Sequence, residues 1–99
     1  SKLGGLRRVV LDVDIPSSVS TVELANRLGR VSGVKAVNVT VTDTDVEVLG
    51  LVIVIEGDDI NYDDVRRVIE DLGGAIRSID QVIVGEYILE LNPQLLKER

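Results

Sequence analysis

Carboxylates are the side chains whose spacing could do chemistry in this sequence, and they fall into two groups. The first lies in IEGDDINYDDVRRVIEDLGG, Ile55 to Gly74, where Glu56, Asp58, Asp59, Asp63 and Asp64 crowd together. The second is split between Asp12 and Asp14 on one stretch and Asp43 and Asp45 on another. Residues two apart on a strand share a face, so each pair aims two hard oxygen ligands the same way. Carboxylates without nitrogen or sulfur partners suit Ca2+ or Mg2+. Asp12, Asp14, Asp43 and Asp45 are therefore the candidate metal ligands. The first group lacks the D-x-D-x-D-G spacing of an EF-hand loop. A cation on Glu56, Asp58 and Asp59 is an alternative there, but the group has a simpler role. Asp63 and Asp64 would sit in a first helical turn, worth ~0.3–1 kcal/mol each against the helix dipole, and GDD supplies the bend after a strand. A general acid/base pair needs two carboxylates in different environments within a pocket, and nothing in the sequence indicates a pocket.

These acids must be positioned by the elements around them. LRRVVLDVD (Leu6 to Asp14) alternates as a strand, with Val9, Leu11 and Val13 on one face and Arg8, Val10 and Asp12 on the other. Pro16 breaks it. Ser20 and Glu23 have capping-box spacing, and Val22, Leu24, Ala25, Leu28 and Val31 line one face of a helix stopped by Gly33. Val34 to Asp45 and Val46 to Glu56 read as two strands joined by a tight turn, a hairpin, with Gly50 as a candidate bulge. Asn61 is a good N-cap for a second helix whose stripe is Tyr62, Val65, Val68, Ile69 and Leu72, ended by Gly73 or Gly74. AIRSIDQVIVGEYILEL gives a last strand, with a candidate break between Ser78 and Asp80. NPQLLKER is a tail in which Asn92-Pro93 can start one helical turn.

The order βαββαβ predicts an α+β, ferredoxin-like sandwich: a four-stranded antiparallel sheet of order 4-1-3-2 with both helices on one face. Residues 1–99 then form a single domain, with a core at about 6–89 and a C-terminal tail at 90–99. This topology gathers Asp12, Asp14, Asp43 and Asp45 at one pole, joined by Asp80 if the last strand begins there. It sends the first acid group to the other pole, beside Arg7, Arg30 and Lys35. The glycines of LGG and VSG follow helices, whereas a phosphate-cradling loop needs them before one; they read as helix stops. Arg7, Arg8, Arg66 and Arg67 read as solvated or paired with nearby acids, with an anion site as the alternative.

Composition excludes much else. The chain of 99 residues contains neither Cys nor His, which removes thiolate and imidazole chemistry. Its formal net charge of −6 repels phosphate backbones. Its only aromatics, Tyr62 and Tyr87, give no stacking platform for RNA, so no nucleic-acid partner is expected. No membrane partner is expected either, since no apolar run reaches the roughly 20 residues of a membrane helix. With no leader pattern in view, a cytoplasmic location is the expectation.

One apolar feature is out of place. Leu51 to Ile55 is apolar on both faces, yet in this fold only one face of the sheet meets the helices. Val10 adds to the bare side. Such a surface calls for a cover, from the tail or from another copy of the chain, and association is a natural route to stability for so small a domain. Gly50 leaves open whether Val52 and Val54 or Leu51 and Ile53 point outward.

LRRVVLDVD, the hairpin, IEGDDINYDDVRRVIEDLGG and IRSIDQVIVGEYI, taken in this order, resemble an archaeal family of uncharacterised proteins, domain-of-unknown-function family 211. The resemblance covers roughly Leu6 to Leu89. It implies a ferredoxin-like fold and homo-oligomers, and it carries no catalytic motif. The expectation is a homo-oligomeric, non-enzymatic protein, either a structural assembly or a module that binds a divalent cation, Ca2+ or Mg2+, or a small molecule. The alternative is a small enzyme with a carboxylate-bound metal at the Asp12/Asp43 pole.

Overall fold

The alternation of the first strand sets the core. The computed structural model describes residues 4–98, and in it β1 (Leu6–Pro16) buries Val9, Leu11, Val13 and Ile15 while Arg8, Val10, Asp12 and Asp14 face the other way. β1 lies inside a four-stranded antiparallel sheet of order β2-β3-β1-β4, where β2 is Val34–Thr44, β3 is Val48–Gly57 and β4 is Ala75–Val84. Two helices, α1 (Thr21–Gly29) and α2 (Tyr62–Asp71), supply the rest of the core with Leu24, Leu28, Val65 and Ile69. The fold is the expected α+β, ferredoxin-like sandwich, with its helices layered on the face of Val9, Leu11 and Val13.

Both helices start where side-chain caps place them. Ser20 Oγ accepts from Glu23 N at 3.1 Å, and Asn61 Oδ1 accepts from Asp64 N at 3.1 Å. α1 ends at Gly29 rather than Gly33, capped at Arg30. Gly33, at φ +88, instead turns the chain into β2.

β1 and β3 pair without a slip from Arg8 opposite Glu56 to Pro16 opposite Val48. Leu51, Ile53 and Ile55 therefore share the buried face of Val13, Leu11 and Val9, and Val52 and Val54 look out from the open face. Gly50 does not shift that register. The irregularity beside it lies in β2, where Thr42 is the extra residue between Val41 and Asp43. β4 is not broken at Ser78 to Asp80. It runs through, with extra residues at Arg77 and Asp80 where its pairing to β1 slips. It does end early: Gly85, at φ +131, turns the chain away, so the stretch to Leu91 is an arm rather than strand. The arm closes in a 3-10 turn, Pro93–Glu98, begun by Asn92, whose Oδ1 accepts from Gln94 N at 2.9 Å. Among the described residues no helix is long and apolar enough to cross a membrane.

Candidate functional site

The acids from Glu56 to Asp64 are each engaged separately. Asp58 Oδ1 accepts from Gly4 N at 2.7 Å, and Asp58 N donates to Gly33 O at 2.8 Å. Asp59 holds φ at +53 and donates its N–H to Gly4 O. Asp63 and Asp64 lie in the first turn of α2 and pair along it with Arg66 and Arg67, at 3.7 and 3.2 Å. Glu56 reaches across the open face to Arg8 at 2.7 Å. The cluster shapes the β3–α2 connection, and the Asn61 cap at its centre contributes ~1 kcal/mol.

The four acids of the candidate metal set meet a different obstacle. Asp14 and Asp43 both lie beside Gly50, at the same end of the sheet. β3 runs between their strands, so their backbones are two strand spacings apart, roughly 10 Å. Asp12 is one step further in, opposite Val52 and Ser78. Asp14 is paired with Arg77 at 3.2 Å. Asp45 turns back on its own chain, Oδ1 accepting from Val46 N at 2.6 Å. Asp80 does not join them: β4 begins at Ala75, and Asp80 lies in mid-strand, accepting from Ser78 Oγ at 2.8 Å. Among the described residues no three acidic side chains are grouped so as to hold a metal ion.

The densest polar contact is one the sequence does not announce. On the open face Arg8 is only 18% exposed, with Nε on Glu56 Oε2 at 2.7 Å and its two terminal nitrogens on the Glu90 carboxylate, each at 3.0 Å. Gln81 Oε1 accepts from the same guanidinium at 3.2 Å. The bonds to Glu90 and then to Glu56 push the Arg8 guanidinium above its ordinary range. Glu90 belongs to the arm, so Arg8 ties the arm to the sheet. Arg7 does the same further back, donating to the carbonyls of Gly57, Gly85 and Glu86.

What the arm covers is limited. It shelters Ile83, 6% exposed, over an open groove of about 470 Å³ between β4 and Leu89, Leu91 and Leu95. Those three leucines stay 72, 53 and 60% exposed. On the helix side of the same strand Ile79, Val82 and Val84 are 49, 56 and 66% exposed. Ile79 and Val82 line a wholly apolar depression of about 250 Å³ with Leu6, Val9 and Tyr62. That is below the ~300–1,000 Å³ of small-molecule sites and matches one or two aliphatic side chains. Exposed apolar surface is thus concentrated along β4 and the arm.

Two comparisons place the chain among known sequences. The model of family DUF211, described as uncharacterized ArCR, matches residues 7–98. An uncharacterized protein of Methanocaldococcus jannaschii is 38% identical over 88 residues, which cover 89% of this chain and 91% of that relative.

Proposed function

The chain belongs to the archaeal DUF211 family, and we propose that it works as a homo-oligomeric assembly module of the cytoplasm rather than as an enzyme. The observation that carries this reading is the apolar strip along β4 and the arm. A folded monomer rarely leaves Val82, Val84, Leu89, Leu91, Leu95 and Leu96 more than half exposed in one region. The chain itself supplies both halves of a contact there, an apolar depression beside Val82 and leucines with no cover of their own. Val10, Val52 and Val54 on the open face extend the apolar surface. Fully burying one such side chain contributes roughly 1.5–3 kcal/mol, against an association cost of roughly 4–15 kcal/mol, so a strip of this length is needed rather than one residue.

A resident metal is an accessory in this reading. A cation near Asp14 and Asp43 would draw its remaining oxygen ligands from water or a second copy, because two carboxylates roughly 10 Å apart along the sheet fall short of the six to eight ligands of Ca2+. Small-molecule binding belongs to the contacts between copies, since the depressions on one copy are open and shallow.

Native mass spectrometry and light scattering of the wild type test the reading. Discrete oligomers are expected at micromolar concentration. Val82→Asp would bury an unpaired charge in the contact and should lower the subunit number while far-UV circular dichroism stays unchanged. A wild type that remains monomeric at high micromolar concentration overturns the proposal.

A further inference from the structure

The arm is fastened to the sheet by side chains and not by backbone. It passes beside Gln81 and Ile83 on the open face, yet among the described residues no backbone–backbone hydrogen bond joins residues 86–91 to a strand. Arg7 donates to the carbonyls of Gly85 and Glu86 at its root. Arg8 then grips the Glu90 carboxylate through both terminal nitrogens, each at 3.0 Å. Past Glu90 the described hydrogen bonds of the arm are local, Leu95 N to Asn92 O and Gln94 N to Asn92 Oδ1. The two halves of the Arg8–Glu90 bond are unequal. The guanidinium is fixed to the sheet by Glu56 and Gln81, at 2.7 and 3.2 Å, so it stays in place whether or not Glu90 is there. Gly85 at the root holds φ at +131, a conformation closed to most other residues. A Cβ on it would meet nothing within 4 Å beyond its chain neighbours, so the turn is uncrowded.

We infer that the arm is a strap that swings open about Gly85 while the rest of the domain stays folded, and that the Arg8–Glu90 bond is the latch that keeps it closed. Segments with few buried apolar contacts and no backbone ladder open at a lower free energy than the whole fold. The arm is such a segment, since closure still leaves Leu89, Leu91 and Leu95 more than half exposed. Apolar contact therefore holds it weakly, and the two-pronged, charge-assisted bond to Arg8 is the strongest single contact it makes. What closure shelters is Ile83, which pairs opposite Arg8 and is 6% exposed.

The strap has a consequence for association, and this part rests on the assembly reading above. Closed, it sets its leucines along β4 as one surface with Val82 and Val84. Open, it disperses them and uncovers Ile83. A surface that is already ordered before contact binds with less loss of freedom, so the closed form is the one that assembles. Arg8 and Glu90 are then positioning residues, acting on the contact through the arm. By linkage, anything that binds only the closed form must close it further.

Ile83→Cys reads the strap directly in a chain without native cysteine. It keeps a small apolar side chain under the arm, and its thiol meets a small aromatic disulfide reagent only when the strap opens. Labelling at low protein concentration should hold the same rate from zero to low urea, because a local opening exposes little surface. A rate that climbs with urea as steeply as global unfolding overturns the strap. Glu90→Gln in this background should speed labelling about fivefold, a modest factor because the Glu90 side chain is 60% exposed to solvent. With Arg8→Gln also present, the same Glu90→Gln change should alter the rate by less than about twofold, the signature of one shared bond. Equal acceleration in both backgrounds overturns the latch. Association is read separately, by sedimentation equilibrium of the same chains. Over the concentrations at which they associate, labelling should slow severalfold. Association with an unchanged labelling rate overturns the strap's part in the contact. A chain that stays monomeric overturns the assembly reading, while the urea dependence and the Arg8 and Glu90 variants still decide the latch.

Discussion

Tyr62 opens α2 and lines one apolar depression with Leu6, Val9 and Val82, and its hydroxyl is the titratable group whose environment the fold changes most plainly on the helix side. Desolvation pushes its acidity above the usual tyrosine value. Arg66 opposes the shift, and Asp63 and Glu70 reinforce it. A raised value means that the folded state prefers the neutral phenol. The associated stability is fully present below the unfolded value of about 10 and is lost as pH rises through the higher folded value. Comparing wild type with Tyr62→Phe in urea at about pH 8 and about pH 11 isolates this group, because the two chains differ only in its hydroxyl. The wild type should lose stability relative to the variant at the higher pH. Parallel losses would mean that the hydroxyl is as well solvated folded as unfolded. Arg8 shows the same scale from the electrostatic side: its raised value comes from partners rather than burial, and with Arg7 it joins the sheet to the arm.

At the scale of elements, the connections before β2 and after β3 cross at two glycines. A Cβ on Gly57 would collide with Gly33 O and stand 3.0 Å from Lys35 N, and Gly33 itself needs φ +88. Gly57→Ala should therefore destabilise the fold by ~1–3 kcal/mol through overpacking, read as a lower urea midpoint with an unchanged slope. An unchanged midpoint would show that the crossing yields. This crossing holds β2 in place, yet only the turn-forming character of the two glycines is visible in the sequence. What is legible is whatever has local contrast. β1 alternates Val9, Leu11 and Val13 against Arg8, Asp12 and Asp14, and the helices carry caps and stripes, so order and topology follow from the sequence. β3 lacks contrast, since Leu51 to Ile55 is apolar at every position. Only pairing with β1 decides that Val52 and Val54 face outward. The acids mislead for a related reason. Asp12 with Asp14 and Asp43 with Asp45 look like matching halves, but strand order inserts β3 between them. The Arg8–Glu90 bond spans 82 residues, and no local pattern encodes it.

At the scale of the whole molecule, apolar surface and free backbone lie on opposite edges of one thin sheet-and-helix slab, 38 × 38 × 17 Å. Its radius of gyration of 14.2 Å exceeds the roughly 13 Å of a compact chain of about 100 residues, as expected of a flat domain with an arm along one edge. Salt tells which force governs the assembly. Treated as point charges of −6 one molecular width of 38 Å apart, two copies repel by about 4 kcal/mol in unscreened water. Screening leaves about 1 kcal/mol of this at 0.01 M salt, where the Debye length is roughly 30 Å, and almost none at 0.15 M, where it is roughly 8 Å. Exposed ion pairs between copies would work the other way, but such pairs contribute only ~0.2–1 kcal/mol each, and at contact distance added salt removes only part of that. Apolar burial along β4 is strengthened, if anything, by added salt of the excluded kind. Repulsion between copies is therefore the largest salt-dependent contribution, and raising NaCl from about 0.01 M to about 0.15 M should tighten association roughly fivefold in sedimentation equilibrium. Loosening over the same range would mean that ion pairs between copies, rather than valine and leucine side chains, hold the assembly together.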